Sequence, residues 1–256
     1  MYNKLELYDL ILSETLKTKA MKKQVSGIFI ALLITMTAYS QSGEQVHSLP
    51  QFIDYETPTG VITLFVPYPE APHYGTRGNP YLDLDFKNGY IVVDDSIKIT
   101  QVPLRYNIFE QRMELLRDSA VYAFNYPNRI DTVHMGNKDF IYMLYSQHGV
   151  PYYGYFEVLC KSPVTLLKRY TCRLQQGYFN IQMNAGDRSY QFLKFQHYYI
   201  TTDHALANQL RTGMKSLAGC LSVPVQDLRS FVKANKLRMK HEEDMVKLFQ
   251  HFGSKI

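Results

Sequence analysis

The segment "HYGTRGNPYLDLDF" (residues 73–86) gathers residue types from which a site could be built. Gly75 and Gly78 can turn backbone N–H groups towards an anion and form a nest. Asp83 and Asp85 lie two apart, so in an extended chain their carboxylates share one face, where they could hold a cation or serve as acid and base. Tyr81, just upstream, joins them as a candidate binding residue. The alternative is a turn feeding an edge strand, since Gly, Asn and Pro are ordinary turn residues. No strand-to-helix phosphate loop, P-loop lysine or calcium-loop pattern accompanies the segment.

Two further clusters carry polar or aromatic groups. In "VPLRYNIFEQR", Arg105 and Asn107 fall on one strand face. With Asp94 and Asp95 they would line a polar groove, or they would form the solvated face of a half-exposed antiparallel sheet. "GVPYYGYF" brings together Tyr152, Tyr153, Tyr155 and Phe156. If exposed, these rings would stack on sugars or anchor a partner; as ordinary strand residues they would alternate between core and water.

The remaining chemistry is sparse. The eight histidines form no HExxH motif, and His241 and His251, ten apart, are too distant for one helical site. There is no G-x-S-x-G elbow, and Cys160, Cys172 and Cys220 lack metal-ligand spacing. A hairpin across Lys161-Ser162-Pro163 sets Cys160 opposite about residue 165, so pairing Cys160 with Cys172 would need bent strands. Buried free thiols are the better expectation. No catalytic residue, metal or cofactor is expected from these patterns.

The elements that must position these residues are mostly strands. With 21 Tyr, 14 Phe and no Trp among 256 residues, the composition favours pleated surfaces. "GVITLFVPY", "GYIVVDDSIKIT" with a turn at Asp94–Asp95, and "VPLRYNIF" read as strands, the last with Val102, Leu104, Tyr106 and Ile108 on one face. Asp118–Ser119 joins "EQRMELLR" to "AVYAFN", and Gly136–Asn137 joins "IDTVHM" to "KDFIYMLY", a specific hairpin signal. "YYGYFEVLC" and "VTLLKRYTCRL" make another hairpin, and "AGDR" divides "YFNIQM" from "SYQFLKFQHYYI". Near Thr201 the period becomes helical.

"SVPVQDLRSFVKANK" has a Ser222 cap, an early Pro224, and Val225, Leu228, Phe231 and Val232 on one face. "KHEEDMVKLFQHFG" places three acids in its first turn and a stripe of Met245, Leu248, Phe249 and Phe252. "HALANQLRTGMKSLAGCL" could supply a further helix. The expected class is α+β: mainly antiparallel β, a sandwich or partly open barrel, with a C-terminal cap of two or three helices.

The N-terminal region carries an address. Lys22 and Lys23 precede an apolar run from Ile28 to Ile34, and Ala38-Tyr39-Ser40 supplies a small-x-small cleavage site before Gln41. The run is short for a membrane span, which needs about 20 apolar residues. A cleaved signal peptide starting at Met21 is therefore expected, with the mature chain free of a transmembrane anchor. This gives four regions: 1–40 removed, 41–55 a polar leader, 56–200 the β body and 201–256 the helical cap. Beyond residue 40 there are 23 basic and 20 acidic residues, a net +3, too mild for nucleic-acid binding.

The succession of an export signal, "GTRGNPYL", "VPLRYNIFEQRMEL", "GYFEVL" and "DLRSFVKANKLRMKHEEDMVKLFQHF" resembles a group of uncharacterised exported proteins of Gram-negative bacteria. The resemblance spans about residues 70–253. It implies export and a β-rich core with a helical tail, and no activity, ligand or cofactor. The expected role is a non-enzymatic binding or structural module of the periplasm or outer membrane, with an envelope protein or glycan as partner. The rival is an extracytoplasmic hydrolase using Asp83, Asp85 and Arg105.

Overall fold

The computed structural model describes residues 45–48, 54–57, 60–68, 75–95 and 97–253. The expected signal peptide lies outside them. The strands are β1 (Gln45–Ser48), β2 (Asp54–Thr57), β3 (Gly60–Thr63), β4 (Phe65–Pro67), β5 (Thr76–Arg77), β6 (Lys87–Val93), β7 (Ile97–Asn107), β8 (Arg112–Arg117) and β9 (Ala120–Phe124). After a 3-10 turn at Pro127–Arg129 come β10 (Ile130–Met135), β11 (Lys138–Gln147), β12 (Val150–Cys160), β13 (Thr165–Gln176), β14 (Phe179–Asn180), β15 (Ala185–Gly186), β16 (Tyr190–Thr201) and β17 (Leu206–Gln209). Three helices follow: α1 (Met214–Cys220), α2 (Val225–Ala234) and α3 (Glu242–Phe252). The class is the expected one, a β-rich body with a C-terminal helical cap.

The turn residues set the registers. Arg117 pairs with Ala120, so Asp118 (φ 49°) and Ser119 (φ 64°) form a two-residue loop with both residues left-handed, the type I′ signature. Gly136 (φ 64°) opens the loop between Met135 and Lys138. "GYIVVDDSIKIT" and "VPLRYNIF" merge at their join: β7 runs unbroken from Ile97 to Asn107, absorbing an extra residue, Gln101 (φ 59°), as a bulge opposite Gly89 and Tyr90.

A meander in the order β4-β9-β8-β7-β6-β10-β11-β12 builds one curved sheet. Its main core holds Ile91, Val93, Ile99, Val102, Leu104, Tyr106, Met113, Leu115 and Phe140, all buried. The expected in-facing set of β7 is thus in place.

The second half of the body closes on itself. β12 pairs with both β11 and β13, β13 with β16 along twelve residues, and β16 with β17. β17 then runs parallel to β11, Leu144 against Leu206 and Tyr145 against Ala207. The result is a ring of five strands, β11-β12-β13-β16-β17. Met143, Tyr145, Phe156, Leu167, Tyr199 and Ala207, which share one face by strand alternation, fill its interior.

β17 corrects the expected helix over "HALANQLRTGMKSLAGCL": its first half is strand and only Met214–Cys220 is helical. Ser222 does not cap α2; it takes φ 49°, and Pro224 is the N-cap residue. The polar leader is not wholly irregular, since β1 and the start of β2 fall within it.

The helices cover the outer face of the ring. Leu217, Leu221, Leu228, Met245, Leu248, Phe249 and Phe252 pack with Cys160, Val164, Leu166, Ile200 and Leu210. The expected apolar stripe of α3 is therefore buried within the chain. All three cysteines are free; Cys160 pairs across the hairpin with Leu166, one residue from the expected position, and Cys172 faces Lys194. Among the described residues, no helix is long and apolar enough to cross a membrane.

Candidate functional site

The residues singled out in the sequence do not form one site. Arg105 and Asn107 are buried, which corrects both the groove and the solvated-face readings. Their partner is Glu114 on β8, placed directly opposite Arg105 by the β7–β8 register. Arg105 donates from Nε (3.1 Å) and Nη2 (2.7 Å) to Oε2 of Glu114, and Asn107 Nδ2 donates to Oε1 at 3.2 Å. The guanidinium lies over the rings of Tyr81 and Phe86, at 3.8 and 4.2 Å from their centroids. Tyr81 is buried and bridged to Asn107. This is a closed structural knot: a buried ion pair with its remaining groups hydrogen-bonded.

Asp83 is half-buried and Asp85 exposed, and neither joins Glu114. Asp94 pairs with Arg129, and the backbone N–H of Asp95 donates to Asp131, both at the far end of β7 from Arg105. Gly75 and Gly78 flank the short β5, which pairs with β16. In the aromatic cluster, Tyr152 and Tyr153 are exposed and stack on Tyr145 and Tyr142 across β11. Tyr155 is buried, edge-on to Tyr106, so it belongs to the core.

A cleft does open at the end of the five-stranded ring, among residues the sequence did not flag. Alternation carries the ring's inward face from Leu167 to Arg169 and Thr171 on β13, and from Tyr199 to His197 on β16. Gln147 of β11 and Gln209 of β17 complete the rim, and Gln111 and Phe109 from the β7–β8 turn close one side. The cavity measures about 440 Å³. Gln111 is fixed by its own contacts: its Nε2 donates to the carbonyls of Ile108 (2.7 Å) and Tyr170 (3.0 Å). That leaves its Oε1 to accept from Tyr106 and from Arg169 Nη2, each at 3.2 Å.

Arg169 dominates the electrostatics. Only 8% of it is exposed, its guanidinium lies 4.4 Å over the Tyr145 ring, and its Nε has no hydrogen-bond partner. Gly154 makes room for it: a Cβ there would come within 3.3 Å of the Arg169 Nε. Burial pushes the Tyr199 and Tyr145 phenols up, and the Arg169 charge pulls both partly back. Burial and, after it, the Arg169 charge hold His197 below the usual imidazole range, so at neutral pH its ring is uncharged. Its Nε2 lies 3.2 Å from Thr171 Oγ1. Burial raises the Cys172 thiol, only partly offset by the Lys194 charge, so the sulfur stays protonated.

No carboxylate lines this cleft among the described residues, and none there form a group able to hold a metal ion. The one local signal is an arginine set between Leu167 and Thr171 on one face of β13. Taken singly, such a residue reads as solvated. No known protein family, curated protein or solved structure matches this chain.

Proposed function

We propose that the protein is an exported, non-enzymatic binding module of the bacterial envelope, periplasmic or outer-membrane-associated, that holds part of a ligand in the cleft of the five-stranded ring. The observation that supports this reading is the cleft itself: a preformed cavity of about 440 Å³ lined by amide, hydroxyl, imidazole and guanidinium groups over an aromatic floor. Its size suits a chain end or one sugar residue rather than a folded surface.

The lining argues for holding rather than turnover. Cys172 is a protonated thiol, and among the described residues His197 has no carboxylate orienter and the lining offers no acid–base pair. The hydrolase alternative loses Arg105, which is committed to Glu114. The resemblance to exported β-rich proteins and the Lys22–Gln41 pattern support the compartment.

The test is cross-linking in cells followed by capture from the envelope fraction, comparing wild type with Thr171→Val/His197→Ala. A glycan or protein retained by wild type and lost from the variant is the expected result. Equal retention by both, or a monodisperse wild-type protein that retains nothing, overturns the reading. N-terminal sequencing of the mature chain should begin at Gln41.

A further inference from the structure

We propose that the ring cleft recognises a carboxylate, held by Arg169. The inference rests on the reading of the cleft as the ligand site and names the chemistry of what enters it. Arg169 is more than nine-tenths buried, and among the described residues it makes no ion pair. A desolvated cation is costly unless an anion or a full set of hydrogen bonds compensates it. Here Gln111, the Tyr199 hydroxyl and the Tyr145 face give partial compensation, while Nε is left without a partner. The other buried basic side chains are treated differently: Arg105 has Glu114, and Lys168 has Glu157 and Glu242. Arg169 alone among these three is left facing a cavity.

The charge count selects the anion. Arg169 is the one permanently charged side chain lining the cleft, and His197 is neutral at pH 7. A monoanion neutralises the site, whereas a dianionic phosphate would bring a buried surplus of negative charge. The planar guanidinium also matches the two oxygens of a carboxylate. The contact between Thr171 and neutral His197 uses one of their two protons, so the pair keeps one donor for the same group or its neighbour, and Gln147 and Gln209 at the rim suit a polar remainder. A peptide carboxyl terminus and an acidic sugar both present this chemistry.

The experiment is calorimetric titration of the purified protein with N-acetylglycine and glucuronate, each beside its neutral amide, and with inorganic phosphate. Thermal unfolding of Arg169→Gln, Arg169→Lys and Thr171→Val is followed in parallel. The expected result is binding of at least one carboxylate about tenfold or more tighter than its amide, since a charge-assisted bond is lost with the charge. N-acetylglycine alone would assign a peptide terminus, and glucuronate alone an acidic sugar. Arg169→Gln should abolish the acid-over-amide preference without lowering the melting temperature, and Arg169→Lys should retain part of it. If Arg169→Gln fails to fold, Thr171→Val must still weaken the acid.

Equal binding of acid and amide, or tighter binding of phosphate, overturns the carboxylate assignment and leaves the cleft as a ligand site. A melting temperature that falls in Arg169→Gln, with no acid preference in wild type, makes Arg169 a packing residue and overturns the inference. If no probe binds, the inference falls; the capture experiment above then decides separately whether the cleft is a site at all.

Discussion

Lys168 on β13 and Glu242 at the start of α3 meet through a two-pronged contact: the ammonium donates to both carboxylate oxygens, each at 2.8 Å. The same ammonium lies 3.0 Å from Glu157, which also accepts from Lys138 at 2.7 Å and from the Tyr170 hydroxyl. Tyr198 donates to Glu242 at 3.1 Å, and its phenol is pushed up to about 12 by burial and by that carboxylate. Strand and cap are thus tied by one buried ammonium. Lys168→Met should destabilise by about 3 kcal/mol, because it removes a partner from the buried Glu157 carboxylate. Glu242→Gln should cost only about 1 kcal/mol, since the Glu242 side chain is a third exposed and its charge is screened. Urea unfolding of the two variants measures both.

The same node predicts acid sensitivity. Burial would raise the Glu157 carboxyl, but the hydrogen bonds from Lys138 and Tyr170 and the Lys168 charge outweigh it and hold the group below its usual range. The unfolded chain therefore takes up this proton at higher pH than the folded one. Glu157 contributes stability in full above the ordinary glutamate range, and that contribution is lost as pH falls towards its lowered folded value. Melting temperature should drop below about pH 4.5, with a shallower drop in Glu157→Gln. Parallel profiles would show that Glu157 is not involved.

The cap is held by apolar contact. Leu248 and Phe249 are fully buried against the ring's outer face. Leu248→Ala should cost about 2–5 kcal/mol and Phe249→Ala about 3–5 kcal/mol. Hydrogen exchange in the variants should rise first in α2 and α3, leaving β6 to β8 protected.

Gly89 is fixed by close approach. A Cβ at this position would sit 1.8 Å from the carbonyl oxygen of His134 on the neighbouring strand. Backbone cannot yield that distance locally, so Gly89→Ala should cost at least about 3 kcal/mol by forced displacement of β10. Soluble yield and circular dichroism report it.

The Arg105 cluster and the Asp83–Asp85 pair should separate cleanly. Arg105→Ala strands the buried Glu114 and should destabilise by about 3–5 kcal/mol. Asp83→Asn and Asp85→Asn should stay within about 0.5 kcal/mol of wild type, as ordinary surface changes do. Loss of a hydrolytic activity in either Asp variant would revive the enzyme reading.

The hairpins were legible because their turns are written in the chain: Asp118–Ser119 and Gly136–Asn137 punctuate period-two runs, and such loops fix register locally. The α3 stripe was legible for the same reason, since Met245, Leu248, Phe249 and Phe252 recur at helical spacing. β17 was not. "LANQ" is four residues of weak strand propensity, and its parallel pairing with β11 exists only once the ring is assembled. The burial of Arg105 is not legible locally, because its neutralising Glu114 sits on another strand and is brought opposite only by the register. Arg169 is hidden for a related reason: an isolated charge in a strand is ordinarily on water, and the closure that buries it is not encoded nearby.

That closure has a consequence for the order of events in folding. β11 and β12 can zip as a local hairpin, but the inward wall of the cleft waits for Gln209, far downstream of Gln147. Distant pairings of this kind close late, because chain entropy opposes them until much else is fixed. A chain emerging end-first would carry Arg169 exposed and hydrated until its last strand arrived. The cleft is then also a timer: it exists only once the body has been finished, and a chain truncated before β17 would present the same residues around no cavity.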